Sequence, residues 1–245
     1  MTGKAFGMND AFSAGDHRTG RVWPRRPALV IFDVNETLSD MAPMAGRFED
    51  VGAPGHLAET WFAGLLRDGF ALTAVNAPGS FAQIAAEHLR VTLHGLPLDR
   101  ELTQAIEHVM DGFAGLAVHA DVPPGTHALH GLGMRLVTLG NGSAAVAEKL
   151  FQRAGIRDRF ERLLTVEDAG IWKPAAGAYA YALEQCRVDP IDAILVAVHP
   201  WDIDGASRAG LATAWVNRTN DLYPNYFRAP DLTVDSLAKL ADHWH

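Results

Sequence analysis

A chain of 245 residues, 48% of them apolar, can bury one sizeable core with or without a smaller insert, and is too short for an array of domains. Its formal charge of −8 and pI near 5.7 exclude the broad basic face of a general nucleic-acid or membrane-surface binder and direct attention to a small-molecule substrate. The single cysteine, Cys186, forbids an internal disulfide, which suits a cytoplasmic protein, and its expected role is helix packing.

Residues 1–27 are rich in glycine, polar and basic side chains and carry no apolar segment of the secretory kind, so they are expected to form a disordered leader. "ALVIF" (28–32) follows, a short continuous apolar run that predicts a strand buried on both faces of a parallel sheet. It stops on Asp33. From 41 to 120 the pattern changes to "HLAETWFAGLLRDGFAL", "GSFAQIAAEHLRVTLHG" and "DRELTQAIEHVMDGFAGL", three amphipathic helices separated by Gly and Pro, with no convincing strand. This interval is expected to be an all-helical cap inserted into a core made of 28–40 and 121–245.

"PPGTHALHGLG" (123–133) reads as a helix begun by proline and ended by glycine. Beyond it, strand-like runs at 133–143, 162–166, 193–198 and 212–218 alternate with helical patterns at 143–155, 175–187 and 202–210. Strand and helix in alternation predict an α/β fold, a Rossmann-like, doubly wound parallel sheet. In such sheets ligands bind beyond the carboxyl ends of the strands. The residues that follow the apolar runs are Asp33; Gly140, Asn141, Gly142 and Ser143; Lys173; and His199, Trp201 and Asp202. Singly, each has an ordinary structural role, as a turn former, a helix cap or a core aromatic. Their common placement at strand ends is what predicts a site. His119, His127 and His130 follow no recognised zinc spacing and are expected to serve solvation or packing.

The ordered set "FDVNETL", "LVTLGNGS", "WKP" and "HPWDIDGA" resembles the haloacid dehalogenase superfamily, and within it the type II 2-haloacid dehalogenases, over residues 28–220. The resemblance implies a nucleophile at Asp33, with Thr37 supporting its loop and Lys173 keeping it ionised. Asp202 would hold Lys173 and help the hydrolytic water, Tyr179 would stand near the site, and Asn141 and Trp201 would cradle the departing halide. Most of the superfamily are magnesium phosphatases with a second Asp two residues after the nucleophile; that position here is Asn35, so no metal and no cofactor is expected. Three departures stand out. Gly140 replaces a hydroxyl residue that binds substrate carboxylate, Phe62 falls where the cap arginine belongs, with Arg67 one to two turns away, and His199 replaces an asparagine that positions water and could itself orient or deprotonate that water. The implied activity is hydrolysis of a small 2-haloacid to a 2-hydroxy acid. A magnesium-dependent phosphatase or phosphonatase-type hydrolase and a non-catalytic binding relative are the alternatives. No nucleic-acid or membrane partner is expected, and a homodimer is left open.

Overall fold

The computed structural model describes residues 26–244, so nearly all of the expected leader lies outside the described residues. Six parallel strands form one sheet in the order β3-β2-β1-β4-β5-β6. They are β1 (Leu29–Phe32), β2 (Arg135–Gly140), β3 (Phe160–Thr165), β4 (Ala193–Ala197), β5 (Ala212–Val216) and β6 (Leu232–Val234). β1 is central, with Leu29 opposite both Arg135 and Ala193, and Phe32 opposite both Thr138 and Val196. All four β1 residues are fully buried, which explains why this strand reads as an unbroken apolar run rather than an alternating one.

Alternate β1 side chains feed two cores. Val30 and Phe32 pack with α5 (Val122–Gly131) and α6 (Ala144–Arg153), as well as with Leu237 and Leu240 near the C-terminus. Leu29 and Ile31 belong to the other core, with α8 (Ala176–Cys186) and α9 (Pro200–Arg208), the former following the single turn α7 (Val166–Ala169). Cys186 lies buried in this second core, as expected of a packing residue.

Four helices separate β1 from α5: α1 (Met44–Glu49), α2 (Leu57–Ala74), α3 (Phe81–Leu93) and α4 (Leu102–Ala114). They gather around Trp61, whose ring meets Phe113 edge-on at 5.9 Å and whose Nε1 donates to the Ala85 carbonyl at 3.0 Å. Their apolar side chains are continuous with the core formed by α8 and α9. The insert is fastened to the sheet layer by Trp172, which stacks on Phe81 and donates to the Gly79 carbonyl at 3.0 Å. Glu167 adds an acceptor for the free backbone N–H of Phe81 at the start of α3.

Because β1 is flanked by β2 on one side and β4 on the other, strand order reverses beside it. The crevice beyond the carboxyl ends of β1, β2 and β4 is therefore the place where a doubly wound sheet binds its ligand.

Candidate active site

The loop after β1 folds back on itself. The Val34 carbonyl accepts from both Leu38 N and Ser39 N, and this turn brings Thr37 over the strand end. Thr37 Oγ1 donates to Asp33 Oδ2 at 2.7 Å and accepts from Val198 N at 3.1 Å, so one hydroxyl ties the β1 loop to the end of β4. Arg218 braces the same loop, donating to the Thr37 carbonyl and to both oxygens of Asp121.

Asp33 is 3% exposed and Lys173 and Asp202 not at all. Lys173 Nζ lies 2.9 Å from Asp33 Oδ1 and 2.6 Å from Asp202 Oδ2, one ammonium shared between two carboxylates. Tyr179, from α8, donates to Asp202 Oδ1 at 2.6 Å. Asn141, at the turn after β2, accepts from Lys173 N through its side-chain oxygen, while its buried Nδ2 has no hydrogen-bond partner. His199, at the start of α9, places Nδ1 3.0 Å from Asp33 Oδ2 and Nε2 2.7 Å from Glu36 Oε2. Trp201 stacks on the imidazole at 4.9 Å and meets Phe70 of α2 edge-on.

Charge states follow from this geometry. Burial by itself would raise the Asp33 carboxyl, but the Lys173 charge and the hydrogen bond and charge of His199 outweigh it and hold the group well below the usual carboxylate range. Burial likewise opposes the ammonium of Lys173, and the charges of Asp202 and Asp33 overcome it and raise its pKa. Asp202 is pushed up by burial and by the like charge of Asp33, with Lys173 pulling the other way. Burial and the neighbouring Asp202 keep Tyr179 a neutral phenol, a donor only toward that carboxylate. For His199, burial is outweighed by hydrogen bonds to Asp33 and Glu36, and its pKa is pushed up to about 10. Of the two roles expected of His199, orienting water and deprotonating it, this geometry suits the first: with both ring nitrogens against carboxylates the imidazolium form is favoured.

Asp33, Thr37, Asn141, Lys173, Tyr179, His199, Trp201 and Asp202 thus meet at one sheet edge. Asn35 and Gly140 line a small cavity at the same strand ends, whose other walls include Val34, Phe113 and Leu164. Phe62 does not join the cluster. It is buried in the helical insert next to Trp61 and lines neither this cavity nor its smaller neighbour. Arg67 turns outward to pair with Asp68 on the surface and supplies no cation to the site. The residue missed by sequence reasoning is Glu36. The available signal was a second acid inside the nucleophile loop, three positions after Asp33. His119 is drawn to the same loop, with Nε2 3.0 Å from the Glu36 carbonyl. Among the described residues no group of three or more His, Cys, Asp or Glu side chains is arranged to hold a metal.

A family model described as haloacid dehalogenase-like hydrolase matches residues 27–210. An (S)-2-haloacid dehalogenase of Pseudomonas sp. (strain YL) is 28% identical over 215 residues, covering 87% of this chain and 92% of that protein. The haloacetate dehalogenase H-2 of Moraxella sp. (strain B) is 29% identical over 154 residues, covering 63% and 68%. The solved structure of the L-2-haloacid dehalogenase from Xanthobacter autotrophicus superposes with a TM-score of 0.80 at 22% identity, covering 88% of this chain and 97% of that one, which is a likeness of fold.

Proposed function

The chain belongs to the haloacid dehalogenase-like hydrolases, and from that premise we propose that it hydrolyses the carbon–halogen bond of a small 2-haloacid through an ester on Asp33. The observation that carries the reading is the buried Asp33 carboxylate held ionised by Lys173 at 2.9 Å. The two protein cations against it, Lys173 and His199, neutralise the charge that a magnesium ion would otherwise need to find there. The second carboxylate of a phosphatase site is replaced by the neutral amide of Asn35.

Asp33 Oδ2 accepts from two partners, Thr37 and His199, and Oδ1 from Lys173 alone. The less encumbered Oδ1 forms the new bond to the substrate carbon from the side opposite the halogen. The carbon–halogen bond breaks with its electron pair, and the halide departs toward the unpartnered Nδ2 of Asn141 and the ring of Trp201. Water then adds to Asp33 Cγ and gives a proton to Asp202, whose raised pKa suits it as a base. Release of the 2-hydroxy acid restores Asp33. The closed cluster requires the cap, taken as residues 41–120, to move during each cycle to admit substrate and exclude bulk water.

The same reading places the protein in the cytoplasm, acting on a small molecule. Among the described residues no helix is long and apolar enough to cross a membrane. A homodimer remains part of the expectation, and light scattering tests it. The activity is tested with 2-chloropropionate and p-nitrophenyl phosphate, each with and without chelator. Halide release unaffected by chelator is the expected result. Magnesium-dependent phosphate release, or saturable binding with no turnover, would replace the reading with a phosphatase or a binding protein.

A further inference from the structure

Two independent observations single out Glu36. Its backbone has φ 60°, in the left-handed region where a side chain is strained and glycine is not. Its carboxylate lies 2.7 Å from His199 Nε2, on the far side of the ring from Asp33. The strained backbone is secured at both ends of the residue, by Ser39 Oγ accepting from Glu36 N and by His119 against the Glu36 carbonyl. A glutamate kept in a conformation suited to glycine, with its side chain closing a carboxylate–imidazole–carboxylate chain, has a role that the turn alone does not need.

We infer that Glu36 is a positioning residue that keeps His199 doubly protonated, so that His199 Nδ1–H and Thr37 Oγ1–H form the oxyanion-binding pair when the Asp33 ester is hydrolysed. The inference rests on the ester mechanism proposed above. In the ester, Oδ1 is bonded to substrate and Oδ2 is the carbonyl oxygen already facing both donors. As the water oxygen bonds to Cγ, the carbonyl electron pair moves onto Oδ2 and the water gives one proton to Asp202. The pair then re-forms the carbonyl, the Cγ–Oδ1 bond breaks, and Oδ1 leaves as the product hydroxyl, taking that proton. The second water proton is lost to solvent as the carboxylate returns.

The groups around the imidazole are Asp33 just after β1, Glu36 from its loop, and the stacked Trp201 from α9; beyond Asp33 the contacts run on to Lys173, from Lys173 to Asp202, and from Asp202 to Tyr179. The His119 ring meets this group at the Glu36 carbonyl. Esterification removes the charge of Asp33, so Glu36 becomes the one anion still in direct contact with His199. That is the half-reaction in which its loss should be felt.

The test is single turnover of 2-chloropropionate with enzyme in excess, following halide release and decay of the enzyme-bound ester across pH, for wild type, Glu36→Gln and Glu36→Gly. Wild-type ester decay should slow as His199 loses its proton. Both variants should move that descending limb down by a pH unit or more and slow ester decay by about tenfold to a hundredfold, less than the roughly hundredfold to thousandfold cost of deleting an oxyanion donor because His199 is still there, while halide release slows far less. Glu36→Gly should keep or raise the melting temperature, because glycine relieves the positive φ. The inference is overturned by an unmoved limb, by ester decay that rises with pH through that range, or by melting loss with equal loss of both half-reactions. If wild type releases no halide, the dehalogenase reading fails separately. An imidazole NMR titration then decides the role of Glu36: a lower His199 midpoint in Glu36→Gly supports it, and an unchanged midpoint overturns it.

Discussion

At the scale of single residues, the candidate site is a chain of alternating charge in which each cation touches two anions. Lys173 bridges Asp33 and Asp202, and His199 bridges Asp33 and Glu36. Asp33→Asn therefore leaves each cation with one carboxylate, and the protein should fold with a melting temperature near wild type. Turnover should vanish, since an amide is a far poorer nucleophile; melting curves with halide assays check both. Lys173→Ala is different, because it leaves two buried carboxylates without their shared cation. Breaking a buried pair this way costs about 3–5 kcal/mol, and the Asp33 carboxyl should rise, so the acidic limb of the rate profile moves to higher pH. An unshifted limb would mean that His199 alone keeps Asp33 ionised. The sign of the His199 contribution to stability follows from its raised pKa: it is fully present below the ordinary imidazole value near 6.5 and is lost as pH rises through about 10. Melting temperature should fall over that window in wild type, and the fall should flatten in His199→Asn.

At the scale of elements, what could be read from the chain depended on whether the signal was local. β1, β2, β4 and β5 were legible because burial on both faces demands continuous apolar runs such as "ALVIF" and "AILVAV". β6 is three residues long and only partly buried, and α1 has six residues, too few to show a helical period. Most of the site was legible because its residues end strands. The Glu36–His199 partnership was not, since it joins positions 163 apart in sequence and depends on a backbone angle that composition does not reveal. The surroundings of Phe62 are hidden in the sequence for a related reason: the helical period of α2 is local, but which face of α2 looks toward the sheet is set by packing around Trp61. The turn from β2 into α6 carries a further test. Gly140 has ordinary backbone angles rather than positive φ, and a Cβ there would sit 3.3 Å from Val34 Cγ2, a tight contact that a small shift relieves. Gly140→Ser should thus remain folded. If the substrate is a 2-haloacid, the added hydroxyl should lower KM by roughly tenfold to a hundredfold, the value of a hydrogen bond to a charged group. A stable Gly140→Ser protein with unchanged KM for 2-chloropropionate would point to a substrate with no carboxylate at that position.

At the scale of the whole molecule, the helical insert and the sheet layer share one apolar core, and one of the contacts between them is made by Trp172, the neighbour of Lys173 in the chain. Its ring lies against the face of α2 at Gly69, where a Cβ would come within 2.3 Å of it. Neither the ring, which is held by its hydrogen bond to Gly79 and its stack on Phe81, nor the helix backbone can yield cheaply. Alanine in a helix interior is ordinarily more stable than glycine by about 1 kcal/mol, and Gly46 in α1, with nothing within 4 Å of its would-be Cβ, should show that gain in Gly46→Ala. Gly69→Ala should show the opposite sign, with a loss of about 1–3 kcal/mol from overpacking. Because the displaced ring adjoins Lys173, kcat/KM should fall with it, whereas Gly46→Ala should leave turnover alone. Melting curves and halide kinetics on the two variants decide the point. A stabilised, fully active Gly69→Ala protein would show that the insert rests loosely on Trp172 and that the position of Lys173 does not depend on how the two layers meet.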